Sequence, residues 1–140
     1  QNKRIRHSDR KFSIMKSGSL INQYVLLLSI FLLAQGIWGL FSETVFAMLT
    51  TNLTHAIIHI SLGITGIVLA IRHRAYQFSI FLGIVLLVAG ILYLVPATTP
   101  IVASLLNLNN MGAVINVLAG SFALLAAAAD DVYIIEKSKG

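Results

Sequence analysis

The chain has 140 residues, of which 57% are hydrophobic and only 11% charged, whereas a soluble domain carries about a quarter charged residues. That length predicts one domain and that composition excludes an ordinary water-soluble globule, while the lack of cysteine excludes disulfides, thiol nucleophiles and thiolate metal sites. The net charge of +5 does not signal nucleic acid, because its cations fall at the ends of apolar runs and no stacking platform accompanies them.

The apolar residues come in runs close to the ~20 needed to cross the hydrocarbon core of a bilayer. Residues 1–19 form a basic tail with Lys3, Arg4, Arg6, Arg10, Lys11 and Lys16, opposed only by Asp9. A cytoplasmic tail is expected, with Arg4, Arg6, Arg10, Lys11 and Lys16 contacting lipid headgroups. The first span is expected over 21–41 and is read as retained, since no small-x-small cleavage site follows it. Trp38 near its far end suits an interfacial belt. Val45 to Leu49 is too apolar to hang in water and is expected as a turn of helix lying in the interface.

The second span is expected over 52–71, ended by Arg72, His73 and Arg74. Two arginines in a tight loop mark the cytoplasmic side, at headgroup level. The third span is expected over 76–95 and closes on Tyr93 and Pro96, since proline commonly follows a helix end. The uncharged stretch 97–108 holds Leu105, Leu106 and Leu108 and is expected to lie in the membrane surface. The fourth span is expected over 110–129, stopped by Asp130 and Asp131, with 131–140 as a second cytoplasmic tail. Of the ten Lys and Arg, six lie in the first tail, two in the middle loop and two in the last tail. Both termini are therefore expected inside, around an all-α, four-helix membrane domain over 20–130.

The second span returns 57 residues later as the fourth: Asn52 meets Asn109, Ala56 Ala113, His59 Asn116, Gly63 Gly120 and Ala70 Ala127. The first returns 54 residues later as the third: Gln23 meets Gln77, Leu33 Leu87, Gly36 Gly90 and Leu40 Leu94. The expected architecture is two parallel helical-hairpin repeats about a pseudo-two-fold axis along the membrane normal.

On a helix, Asn52, His55, His59, Gly63, Gly66 and Ala70 form one stripe, and Asn109, Gly112, Asn116, Gly120, Ala123 and Ala127 form its counterpart. Gly63, Gly66, Gly112 and Gly120 are the expected close-packing positions, and the axis is expected to bring the two stripes together. Gln35, His59 and Asn116 each fall roughly 9–11 Å below the outer surface at the helical rise. They are expected to form one hydrogen-bonded layer, each bond stabilising the bundle by about 0.6–2 kcal/mol.

His55 and His59 are also candidate ligands for haem, chlorophyll magnesium or a metal, since neutral imidazole suits all three. The pair lacks the intervening acid and third ligand of a metallohydrolase, so no metal centre is assigned. His7 and His73 are expected at headgroups or solvent. Asn52-Leu53-Thr54 matches a glycosylation sequon but sits at the membrane edge, and Asn52 is read as a helix cap. Nothing resembling a nucleophile–base pair, a carboxylate dyad or a phosphate loop is present.

The pattern Asn52-x-x-His55-x-x-x-His59-x-x-x-Gly63, its echo before Gly120, and Leu105-Leu106-Asn107-Leu108-Asn109 resemble a bacterial family of small four-span membrane proteins, domain of unknown function 4383. The resemblance covers residues 23–128 and implies a four-helix integral membrane protein with no assigned activity. The family tends to carry histidine in its fourth span, where this chain has Asn116. Its occurrence in actinobacteria and cyanobacteria implies a bacterial plasma or thylakoid membrane and makes a photosynthetic complex a natural partner. Three functions are expected in order. The first is a non-enzymatic accessory subunit docking on other membrane proteins or on itself. The second is a haem- or chlorophyll-binding redox or sensor protein using His55 or His59. The third is an oligomeric transporter or channel.

Overall fold

The computed structural model describes the backbone of residues 2–139, and the side chains of 20–130 and of Ile135. Helix α1 (Asn2–Gly39) leads through a hairpin of strands β1 (Thr44–Val45) and β2 (Leu49–Thr50) into α2 (Leu53–Ile71). A tight turn enters α3 (Ala75–Leu94), and a short α4 (Thr99–Leu106) precedes α5 (Asn110–Lys139). Among the described residues, four stretches are long and apolar enough to cross a membrane: Leu20–Gly39, Leu53–Ile71, Ala75–Leu94 and Asn110–Asp130. Each buries only 33–39% of its apolar window against the others. The remaining girdle, including Leu27, Ile57, Ile64, Phe81, Ile84, Leu118 and Phe122, is exposed, an apolar surface of the kind a bilayer covers.

The helices pack as two pairs, α1 on α2 and α3 on α5, with lesser contacts of α1 to α5 and α3 and of α2 to α3. The pairing rests on glycines. A Cβ placed on Gly36 would lie 2.7 Å from Ala56 O, and one on Gly90 would lie 2.7 Å from Ala113 O. Likewise a Cβ on Gly63 would lie 2.8 Å from Ser29 O, and one on Gly120 would lie 2.7 Å from Gly83 O. The same contacts thus recur at offsets of 54 on the first partner and 57 on the second. Burial recurs too. His55, Ala56, His59, Gly63, Gly66 and Ala70 are buried in α2; Gly112, Ala113, Asn116, Gly120, Ala123 and Ala127 are buried in α5.

The two small-residue stripes do not meet, contrary to the sequence-based expectation. Among the described residues, no Cα of α2 comes within 8 Å of one of α5. Each stripe is instead covered by its own hairpin partner, so α1 and α3 face each other and α2 and α5 lie at the far corners.

Val45 to Leu49 is a β-hairpin rather than a helical turn. A three-residue loop, Phe46 to Met48, joins the paired Val45 and Leu49; Phe46 (φ 52°) and Ala47 (φ 60°) are both left-handed, and Met48 N donates to Val45 O at 3.2 Å. Pairing Val45 with Leu49 closes the backbone hydrogen bonds of a short link and buries both side chains, which one helical turn would splay. The α5 helix does not stop at Asp130 and Asp131 but continues to Lys139. Leaving an apolar run does not break a helix when no proline or glycine intervenes. Residues 2–19 are likewise helical, continuous with the first span.

At the hairpin end, three asparagines tie the helix pairs together. Asn52 Oδ1 accepts from His55 N at 2.9 Å and so caps α2, while Asn52 Nδ2 donates to Leu105 O at 2.9 Å. Asn109 Oδ1 accepts from Gly112 N at 2.8 Å, while Asn109 Nδ2 donates to Met48 O at 2.8 Å. Thr50 Oγ1 donates to Asn107 O and Asn107 Nδ2 donates to Thr51 O. Asn107 ends α4 with φ 48°, a left-handed conformation that asparagine tolerates. At the opposite end, Asn22 Oδ1 accepts from Ala75 N and Asn22 Nδ2 donates to His73 Nδ1, each at 3.3 Å.

Two outcomes are expected in detergent. Gly36→Ala and Gly90→Ala should each destabilise by about 1–3 kcal/mol through overpacking, read by thermal unfolding. Asn109→Ser keeps the cap acceptor but cannot reach Met48 O, so it should lose about 0.5–1.5 kcal/mol; unchanged stability would show that the tie contributes nothing.

Candidate functional site

Unpartnered polar groups collect in the α1–α2 seam. The Asn52 cap fixes the start of α2, which places His55 in its first turn and His59 one turn on. Their ring centroids are 4.1 Å apart with planes at 66°, an edge-to-face arrangement. His55 is 2% exposed and His59 3%. The Leu106 backbone, at the end of α4, is a polar neighbour of the His55 ring.

Among the described residues, three fully buried side-chain atoms have no hydrogen-bond partner: His55 Nδ1, His59 Nδ1 and Ser29 Oγ. Ser29 lies farther along the same seam, pressed against Gly66, where an added Cβ would collide with its Oγ. The α3–α5 seam holds no such atom among the described residues. At its corresponding offsets stand Gly112, Asn116 and Gly83, and its buried hydroxyl, Ser79 Oγ, donates to Ala123 O at 2.9 Å. Leaving a buried polar group unsatisfied costs about 1–3 kcal/mol, a cost that falls on the first seam.

A neutral imidazole with an unengaged nitrogen is a hydrogen-bond partner or a Lewis base. No acid occurs between Glu43, before the hairpin, and Asp130 in α5. Among the described residues no three His, Cys, Asp or Glu gather as a metal cluster.

Gln35, His59 and Asn116 are all buried. No hydrogen bond joins them, and His59 and Asn116 sit on the helices that stay apart. Gly63, Gly66 and Gly120 lie against the partner helix, whereas a Cβ on Gly112 would first meet Leu108 and Asn109 of the preceding loop. Gly36, Gly83 and Gly90 are the close-approach residues that the stripe reading missed; their signal was the same three- and four-residue spacing on α1 and α3. Arg72 and Arg74 are exposed on either side of His73, whose φ of 55° belongs to the backbone closure of α2, where His73 N donates to Ala70 O and Arg74 N to Leu69 O. The side chains of Arg4, Arg6, His7, Arg10, Lys11 and Lys16 lie outside the described residues.

On the outer face of α1, an open groove of about 340 Å³ is lined by Ala34, Ile37, Trp38 and Phe41. Beside it Phe46, held by the strained hairpin turn, stacks on Phe31 at 5.9 Å and tilts against Trp38 at 5.4 Å. Sequence alone gave Trp38 as an interfacial residue but did not connect it to Phe46, fifteen residues distant from Phe31 across the hairpin. No family model, curated protein or solved structure matches the chain.

His59→Leu should leave ion-free protein as stable or up to about 1–3 kcal/mol more stable, because it removes an unsatisfied group at similar volume. Chemical unfolding in detergent with a chelator checks the sign; a clear loss would mean that His59 has a partner.

Proposed function

We propose that the chain is a non-enzymatic integral membrane protein, a small accessory subunit that docks laterally on a transmembrane helix of a larger membrane complex. The groove on α1 carries this reading. Ala34, Ile37 and Trp38, at intervals of three and one, share one face at the end of α1, and Phe41 in the turn just beyond extends that surface. The small Ala34 side chain lets a partner backbone approach, and the aromatic group of Phe31, Trp38 and Phe46 gives the site a stiff wall. Its apolar lining, on a span in the bilayer, suits an apolar helix rather than a soluble domain. Membership of the four-span family of unknown function is part of the same proposal.

The termini are placed on the cytoplasmic side of a bacterial membrane, supported by the distribution of lysine and arginine. Two parallel hairpin repeats are supported by the contacts and buried positions that recur at offsets of 54 and 57. A haem or chlorophyll ligated by His55 or His59 is less well supported. The rings are buried in a seam closed by Gly36 against Ala56, so a planar macrocycle would have to part the hairpin.

Because the native chain lacks cysteine, single cysteines report topology without background. Ser42→Cys should react with a membrane-impermeant maleimide on intact cells, and His73→Cys only after permeabilisation; the reverse pattern would invert the protein. Native mass spectrometry after gentle solubilisation should find the chain bound to another membrane protein, and Ala34→Trp should release it. Recovery of the free chain alone, under conditions that preserve known complexes of the same membrane, would refute the docking reading. An absorption band in the visible that is lost in His59→Ala would establish the pigment reading in its place.

A further inference from the structure

We propose that His55 and His59 bind a single copper(I) ion in the hairpin-end half of the α1–α2 seam. The site is independent of the docking groove, which lies on the opposite, exposed side of α1. It begins from two imidazoles that are each more than nine-tenths buried and whose Nδ1 atoms have no partner. A bilayer does not supply water to satisfy such atoms, so a ligand or ion that accepts their lone pairs removes a standing cost.

The choice of ion follows from what surrounds the rings. Their donors are neutral nitrogens, and no acid occurs between Glu43 and Asp130 to compensate a second positive charge. A dication held there would carry uncompensated charge into a low-dielectric seam, whereas a monovalent ion carries half as much. Sodium and potassium favour oxygen donors, which leaves a monovalent ion that favours imidazole. Copper(I) meets both conditions and is content with few ligands. The rings stand one turn apart on the same face of α2 with centroids at 4.1 Å, close enough to be joint ligands of one ion.

The second seam acts as an internal comparison. It repeats the burial and the glycine contacts of the first, yet carries Gly112 and Asn116 where the first carries His55 and His59. Packing alone therefore does not require imidazoles at these positions. Their presence in one seam only is what a binding site, rather than a structural rule of the fold, would produce.

The test is an anaerobic titration of the purified full-length chain in detergent with copper(I), in competition with a chromophoric copper(I) chelator. The expected result is one ion per chain, with affinity reduced more than about a hundredfold in His55→Leu and in His59→Leu, since even indirect partners of a metal ligand are worth 10–100-fold. His73→Leu, outside the seam, should bind as the wild type does. Zinc(II) should bind far more weakly than copper(I). Absence of competitive binding by the wild type, or full binding by both seam variants, overturns the proposal; equal affinity for zinc(II) overturns the choice of ion. If a leucine variant does not fold by circular dichroism, X-ray absorption of the copper-loaded wild type decides. Imidazole scattering supports the site, and a shell without imidazole overturns it.

Discussion

The structure depends on how closely two helix backbones approach at glycine. In lipid, helices gain little from excluding apolar surface, so association rests on packing and on hydrogen bonds between helices. Gly36 lets α1 close on Ala56, and Gly90 lets α3 close on Ala113, at separations that a methyl group would not allow. Those two contacts decide which helices pair, which face of each is buried, and which side chains must live inside the seam. The separation of α2 from α5 follows from the same preference, because each has already turned its small-residue face to a neighbour.

What glycine brings together, asparagine joins. The side-chain amide offers an acceptor and a donor at once, and Asn52 and Asn109 use both: oxygen to begin their own helix, nitrogen to hold the loop of the other pair. Asn22 does the same at the opposite end, engaging the start of α3 through its oxygen and His73 through its nitrogen. With Asn107, whose Nδ2 holds Thr51 O, the ends of the bundle, where backbone groups would otherwise be exposed, are thus closed by four residues of one type. The strained Phe46–Ala47 turn fits the same frame, since it buries Val45 and Leu49 together under the ends of the helices.

Much of the fold was legible because bilayer-crossing helices leave a coarse signal: apolar runs of fixed length, ended by charge or proline. The Asn52 cap was legible for a local reason, because asparagine before an apolar helix start has a defined hydrogen-bonding role. The hairpin at Val45–Leu49 was not, since Phe and Ala are poor indicators of a left-handed turn and the five residues are too few to show a period. The failure to place the stripes correctly had a different cause. A stripe of Gly63 and Gly66 says that something approaches closely but not which helix does so. His55 and His59 could be picked out as unusual, yet that the Nδ1 atom of each lacks a hydrogen-bond partner depended on which helices close around them, which no spacing along the chain encodes.

The two seams differ in a way that bears on how such a chain arises. On the proposed duplication, a single hairpin pairing with a second copy of itself would place every residue twice, once on each side of the axis. A polar group costly to bury would then be borne in duplicate, and a change that favoured one seam would be forced on the other. Joining the copies in one chain lifts that constraint. Ser29, His55 and His59 can be kept in one half while Gly83, Gly112 and Asn116 stand in the other, so one hairpin is free to specialise while its twin preserves the scaffold.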